Sequence, residues 1–332
     1  MIRVKVGGRW LEGQPLAWSS RSFHLLTRDG TLQQFKPSSV HDFQQTRQPF
    51  RSYTAGEMRA RLLLEFGDQY EVTGTSHYLV VHPRRQRDLW ANRFESLFRS
   101  FELYFGSRGL VSTSPKFPLV AIVFSNRPAF VAHARLTGAK LPDSAIGYYS
   151  PRSNRILMYD QSASQSDQDW HHHAKTIIHE AAHQMAYNTG VHQRSAPPPR
   201  WCSEGLASMF EAQGVWDRRH HRDRSARINR PQLDRFQRSL ADRRPNSLSR
   251  FLMNDRAFFE DSEYFYAESW ALTFFLAETQ PKNYTKYLQV TASRKPLSGY
   301  GPSERIEDFV EIFGRDLDLI EAHYLRFIQR LK

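Results

Sequence analysis

The pentapeptide His179-Glu180-Ala181-Ala182-His183, followed after a proline break by WCSEGLASMFE at 201–211, constrains this chain more than any other feature. In an α-helix, residues four apart share one face and lie about 6 Å apart along the axis. Two imidazoles so placed can converge on one ion, and the carboxylate between them sits near that ion's open coordination position. The flanking residues predict a helix over 167–188. Asp167 and Asp169 stand near its start, and Asn188-Thr189-Gly190 is a stop signal. Ile177, Ile178, Ala181, Ala182 and Met185 give it a buried stripe, with the two histidines beside that stripe.

Three protein ligands and a water make the open zinc site found in hydrolases, so one more donor is needed. Glu204 is the expected third ligand. The stretch SAPPPR at 195–200 cannot continue a helix, because proline lacks the amide proton and clashes with the preceding turn. The chain must loop back before a second helix starts near Trp201. Gly205 and Ala207 flank Glu204 with small side chains, which suits close packing against the first helix. Ser208 and Glu211 follow one and two turns on, and either is placed to accept a hydrogen bond from the free nitrogen of a ligand histidine.

HEAAH, WCSEGLASMFE and YAESWALTFFL from Tyr266, in that order, resemble the gluzincin branch of zinc metallopeptidases. Within it the best likeness is to a bacterial family of peptidase-like proteins typified by HEAxHQxAYNTG and YAxSWAL. The likeness covers roughly residues 70–290. It implies Zn2+ on His179, His183 and Glu204, Glu180 as general base, and Tyr266 as a hydrogen-bond donor to the oxyanion, with Tyr264 as the alternative donor. A zincin-like catalytic domain and hydrolysis of a peptide or protein substrate are the corresponding expectations. Two departures matter. The segment GYYSPRSNRILMYD at 147–160 lacks the glutamate with which aminopeptidases of this branch capture a free amino group, which favours an endopeptidase. The position four residues after the third ligand, an acid in thermolysin-like members, is Ser208.

The remaining sequence predicts an α+β protein in three parts. Residues 1–46 read as short strands (Ile2–Val6, Trp10–Glu12, Pro15–Trp18, Phe23–Thr27 and Thr31–Phe35), with Asp29-Gly30 as a hairpin signal. A small SH3-like β-barrel fits that length. Residues 55–164 read as an α/β subdomain, a small mixed sheet whose last strand runs into the metal helix; the resemblance implies that this strand is an edge strand and borders the active cleft. Residues 165–332 read as a helical metal-binding subdomain. His171, His172 and His173 are expected to be a solvated helix start, since His172 lies about 10.5 Å along the axis from His179.

Composition excludes disorder, with 40% hydrophobic and 13% aromatic residues in 332. No run of about 20 apolar residues appears, so no membrane span is expected. The start MIRVKVGGRWLEG lacks the apolar core of a signal peptide, which predicts a cytoplasmic location unless the true start lies upstream. Cys202, the single cysteine, is expected to be a buried free thiol. The net charge of +12 is concentrated in 217–250, with eleven arginines against four aspartates. A solvated insertion is the first expectation there. The competing one is a zinc-scaffold binding module that contacts an acidic protein or nucleic acid through this segment.

Overall fold

The computed structural model describes residues 1–84, 90–139, 141–143, 145–160, 167–217, 219 and 223–331, with the backbone alone over 167–173. It is an α+β protein with two five-stranded sheets. Contacts divide it into two units: Met1–Ser96 with Ser114–His173, and Leu97–Thr113 with Ala174–Lys332. No helix among the described residues is long and apolar enough to cross a membrane.

The first unit holds both sheets. Strands β1 (Ile2–Val6), β2 (Arg9–Trp18), β3 (Phe23–Thr27), β4 (Leu32–Phe35) and β5 (Val40–Gln45) pair antiparallel in the order β4-β3-β2-β1-β5. The two segments expected as separate strands, Trp10–Glu12 and Pro15–Trp18, are one strand. Its register shifts between Pro15 and Ala17, where proline has no amide proton to give the ladder. At the Asp29-Gly30 hairpin, Asp29 accepts from the Thr31 amide at 3.1 Å and Gly30 takes a φ of +86°, a conformation glycine adopts without strain.

The expected closed barrel is not formed. No ladder joins β4 to β5, and the Leu32 amide at the start of β4 donates instead to the Arg152 carbonyl at 2.7 Å. The buried hydrophobic residues on this sheet, Ile2, Val4 and Leu25, are too few to fill a barrel.

In the second sheet, β6 (Tyr70–Gly74), β7 (Tyr78–Pro83), β8 (Leu119–Phe124), β9 (Gly147–Ser150) and β10 (Arg155–Tyr159) run in the order β6-β7-β8-β10-β9. β7, β8 and β10 are parallel, and the two edge strands are antiparallel. Every residue of β7 and β8 is buried, as central parallel strands require. Helices α1 (Ala55–Phe66) and α3 (Arg127–Leu136) accompany the sheet, and α2 (Ala91–Gly106) begins in this unit and continues in the second from Leu97. Met58 and Leu62 of α1 and Phe130 of α3 join Val81, Ile122 and Leu157 in its core. The last strand in sequence, expected at the edge of the sheet, is not there: β10 is paired on both sides, and β6 and β9 are the edges. Tyr149 of β9 donates to Asn154 at 2.8 Å and steadies the turn, where Asn154 takes a positive φ.

The second unit is helical, with α4 (Asp167–Asn188) entering it from residue 174. It continues through α5 (Arg200–Phe210), α6 (Gln213–Trp216), α7 (Arg230–Ser239), α8 (Ser247–Met253), α9 (Arg256–Glu260) and α10 (Ser262–Thr279). It ends with α11 (Pro281–Ala292), α12 (Pro302–Phe313) and α13 (Leu317–Gln329). α10 is buried at every position from Ala267 to Ala277, which marks a helix at the centre of its unit.

α5 packs on α10 at Gly205. A Cβ built there would fall inside contact distance of the Ser269 carbonyl oxygen and the Thr273 hydroxyl. Gly205→Ala is therefore expected to lower stability by about 1–3 kcal/mol, because backbone has to move. Urea unfolding of the variant against wild type checks this.

Candidate metal centre

α4 delivers His179 and His183 one turn apart, both buried, with ring centroids 4.8 Å apart at 80° to each other. Gly190, at φ +83°, closes the helix, and the proline-rich turn brings α5 back so that Glu204 faces the histidines. The Nε2 atoms of His179 and His183 are 3.1 Å apart, and Glu204 Oε2 lies 3.3 and 3.2 Å from them. Donors 2.0–2.1 Å from a tetrahedral ion such as zinc stand about 3.3–3.4 Å apart, close to all three edges. Two ring nitrogens that close to each other and to one oxygen cannot all be served by hydrogen bonds between neutral groups. A shared cation serves all three. Among the described residues this is the cluster of three or more His, Cys, Asp or Glu side chains with the geometry to hold a metal ion.

The electrostatics fit the same reading. Burial favours a neutral Glu204, but the charges of His183 and His179 and hydrogen bonds from both rings hold its carboxyl far below the usual range. Burial opposes protonation of His179, yet hydrogen bonds to Glu204 and Glu211, with the charges of Glu180 and Glu211, raise its pKa well above normal. Three carboxylates thus surround two imidazoles. A divalent cation would balance that excess of negative charge.

Glu211 lies at the end of α5 and its Oε1 is 2.9 Å from His179 Nδ1. In the neutral ring that a metal ligand requires, donation from Nδ1 to Glu211 leaves the Nε2 lone pair on the side of Glu204 and His183. Ser208, the other residue expected in this outer position, is buried, and its hydroxyl has no hydrogen-bond partner among the described residues. Its carbonyl accepts instead from Asn229 Nδ2 at 2.8 Å, and the same amide donates to Glu211 Oε2 at 2.9 Å.

Sequence reasoning missed Asn229, which stands inside the arginine-rich segment. The dipeptide Arg230-Pro231 after it reads as a helix start, with Asn229 as an ordinary cap. The side chain makes no cap hydrogen bond, because it is turned to Glu211. His192 was also missed. It is buried with both ring nitrogens unpartnered among the described residues, and burial followed by the charge of His183 lowers its pKa to about 3.

Glu180 is half-buried and its charge is felt at both His179 and Tyr266. The Tyr266 ring on α10 lies 6.0 Å from that of His179, centroid to centroid. Burial, then the charges of Glu204 and Glu180, pushes the phenol pKa up, so the group keeps its proton. Its hydroxyl forms no hydrogen bond within the described residues. Tyr264 is committed elsewhere. Its hydroxyl is bonded to Glu268 and accepts from Arg243 at 3.1 Å.

The 217–250 segment is only partly a solvated insertion. Arg227 holds Glu278 at 2.7 Å, Arg243 holds Glu268 and Glu321 at 2.8 Å each, and Arg235 lies 3.3 Å from Glu263. Residues 218 and 220–222 lie outside the described residues, as do the side chains of His171, His172 and His173. Cys202 is a buried free thiol, and burial pushes its pKa up.

A family model described as "Protein of unknown function (DUF1570)" matches residues 173–298. That span contains HEAAH, WCSEG, Asn229 and YAESWAL. No curated protein matches the chain.

Proposed function

We propose that the helical unit is a gluzincin-type, zincin-like catalytic domain that hydrolyses peptide bonds with one zinc ion, acting as an endopeptidase. The observation that carries this reading is the 3.1–3.3 Å triangle of donor atoms from His179, His183 and Glu204, near the Tyr266 hydroxyl, which has no hydrogen bond among the described residues. Zinc held by these residues supplies a water acidified toward a pKa of about 7 and a Lewis acid for the scissile carbonyl.

The protein groups supply the rest. The Glu180 carboxylate takes the proton of the attacking water and passes it to the leaving amine. The Tyr266 hydroxyl, kept protonated by its surroundings, donates a hydrogen bond to the oxygen on which negative charge develops. Glu211, steadied by Asn229, holds the His179 ring in one tautomer and orientation. The segment 147–160 brings no glutamate to bind a substrate amino terminus, which is why an endopeptidase is preferred.

Elemental analysis after zinc incubation, with hydrolysis of a diverse peptide library with and without chelator, tests the reading. One zinc per chain and chelator-sensitive cleavage are expected. Failure to take up zinc overturns it. Zinc uptake with no cleavage, together with partner binding through 1–46 or 217–250, transfers the function to a binding module. Glu211→Ala is expected to weaken zinc affinity about 10–100-fold, as loss of an outer hydrogen-bond partner does. Competition with a chromogenic chelator measures the change.

A further inference from the structure

Arg200 opens α5 one helical turn before Glu204, so the two side chains leave the same face of the helix. It is half-buried, with its guanidinium carbon 3.9 Å from the centre of the Phe258 ring and 5.7 Å from that of Phe259. The Phe258 ring lies 6.0 Å from Tyr266, which stands 6.0 Å from His179. Arg200 is close enough for its charge to favour ionisation of the Tyr266 phenol, against burial and the Glu204 and Glu180 charges.

Among the described residues the guanidinium has neither an ion pair nor a hydrogen bond. Asp255 accepts from the Arg200 main-chain amide at 3.2 Å but gives its two carboxylate oxygens to Arg305 at 3.1 and 3.0 Å. Other sheltered arginines of this unit are answered. Arg227, Arg243 and Arg305 hold carboxylates at 2.7, 2.8 and 3.0 Å. A guanidinium stacked on an aromatic ring keeps its edge free, and that edge matches the two oxygens of a carboxylate. The charges of Glu180, Glu204 and Glu211, which act on Tyr266 as Arg200 does, repel anions, so a single guanidinium suits a monoanion better than a dianion.

We propose that Arg200 is the anion-recognition residue of this centre and binds a carboxylate of the peptide substrate. The proposal rests on the peptidase reading. The carboxylate has two sources, an acidic side chain near the scissile bond or the free carboxyl terminus of a short peptide.

The test uses the full chain loaded with zinc and carrying Glu180→Gln, so that bound peptide stays intact. Three sets of fluorescent peptides of one length are compared: neutral with an amidated end, the same with one Glu moved through each position, and the neutral sequence with a free carboxylate end. One carboxylate set is expected to bind about tenfold more tightly than the neutral peptide, and the preferred set names the source. Adding Arg200→Met, which keeps an unbranched apolar stem on Phe258, should bring that ratio to about one. Arg200→Lys, which keeps the charge without the fork, should leave an intermediate ratio.

Zinc content and thermal midpoint verify that each variant is folded. Equal affinities, a preference that survives Arg200→Met, or no measurable binding of any peptide overturns the proposal. If wild type cleaves the neutral peptides and no carboxylate preference exists, the peptidase reading stands and this role for Arg200 falls. If nothing is cleaved but Arg200→Met abolishes a carboxylate preference, the reverse holds.

Discussion

Glu180→Gln is expected to keep its zinc and lose about 10²–10⁴-fold in kcat, the range associated with removing a general base. Glu180 is not part of the donor triangle, and the amide has nearly the same shape, so His179, His183 and Glu204 stay in place. An amide cannot take the proton of the attacking water. Tyr266→Phe should also retain zinc and lose about 10²-fold, the usual cost of one oxyanion donor. Tyr264→Phe is the informative control. Its hydroxyl belongs to the Arg243–Glu268 cluster, so its effect should appear in stability and not in the chemical step. Metal content and steady-state kinetics on a verified peptide decide the matter. Wild-type turnover by Glu180→Gln would falsify the assigned mechanism.

What the sequence disclosed follows from the range over which each feature is determined. The spacing of His179 and His183 is a local property of one helix, so their convergence was legible before any tertiary contact was known. Glu204 was legible from its place after the proline break, but the partner of Gly205 was not: its close contact is with α10 and not with the metal helix. Asn229 was not, because its partners Ser208 and Glu211 lie 21 and 18 residues away and nothing local marks the contact. β5 was missed for a related reason. Five of its six residues are exposed, so no alternation betrays it, and pairing with β1 alone makes it a strand. The arginine-rich segment looked like a solvated insertion because a charge count does not show partners. Glu268, Glu278 and Glu321, which answer Arg243 and Arg227, come from α10 and α13.

Arg243→Met is expected to destabilise the helical unit by about 3–5 kcal/mol, the cost of stripping one partner from a buried ion pair. Arg243 and Glu268 are 6% and 1% exposed at their side chains, and two hydrogen bonds of 2.8 Å join them. The same guanidinium bonds Glu321 of α13 through Nε at 2.9 Å and lies over the rings of Phe236 and Tyr324. It therefore ties α7, α10 and α13 together. Methionine fills part of the space but leaves the Glu268 carboxylate buried without its cation, with only the Tyr264 hydroxyl bonded to it. Removing both groups, as Arg243→Met with Glu268→Leu, should cost less than Arg243→Met alone, since the stranded carboxylate leaves with its partner. Urea unfolding followed by fluorescence, to which buried Trp201 and Trp270 report, measures both variants. Zinc stoichiometry should remain one per chain below the transition, because His179, His183 and Glu204 have no contact with this cluster among their hydrogen bonds. A double variant less stable than Arg243→Met would mean that the pair is worth more to the fold than the apolar packing that replaces it.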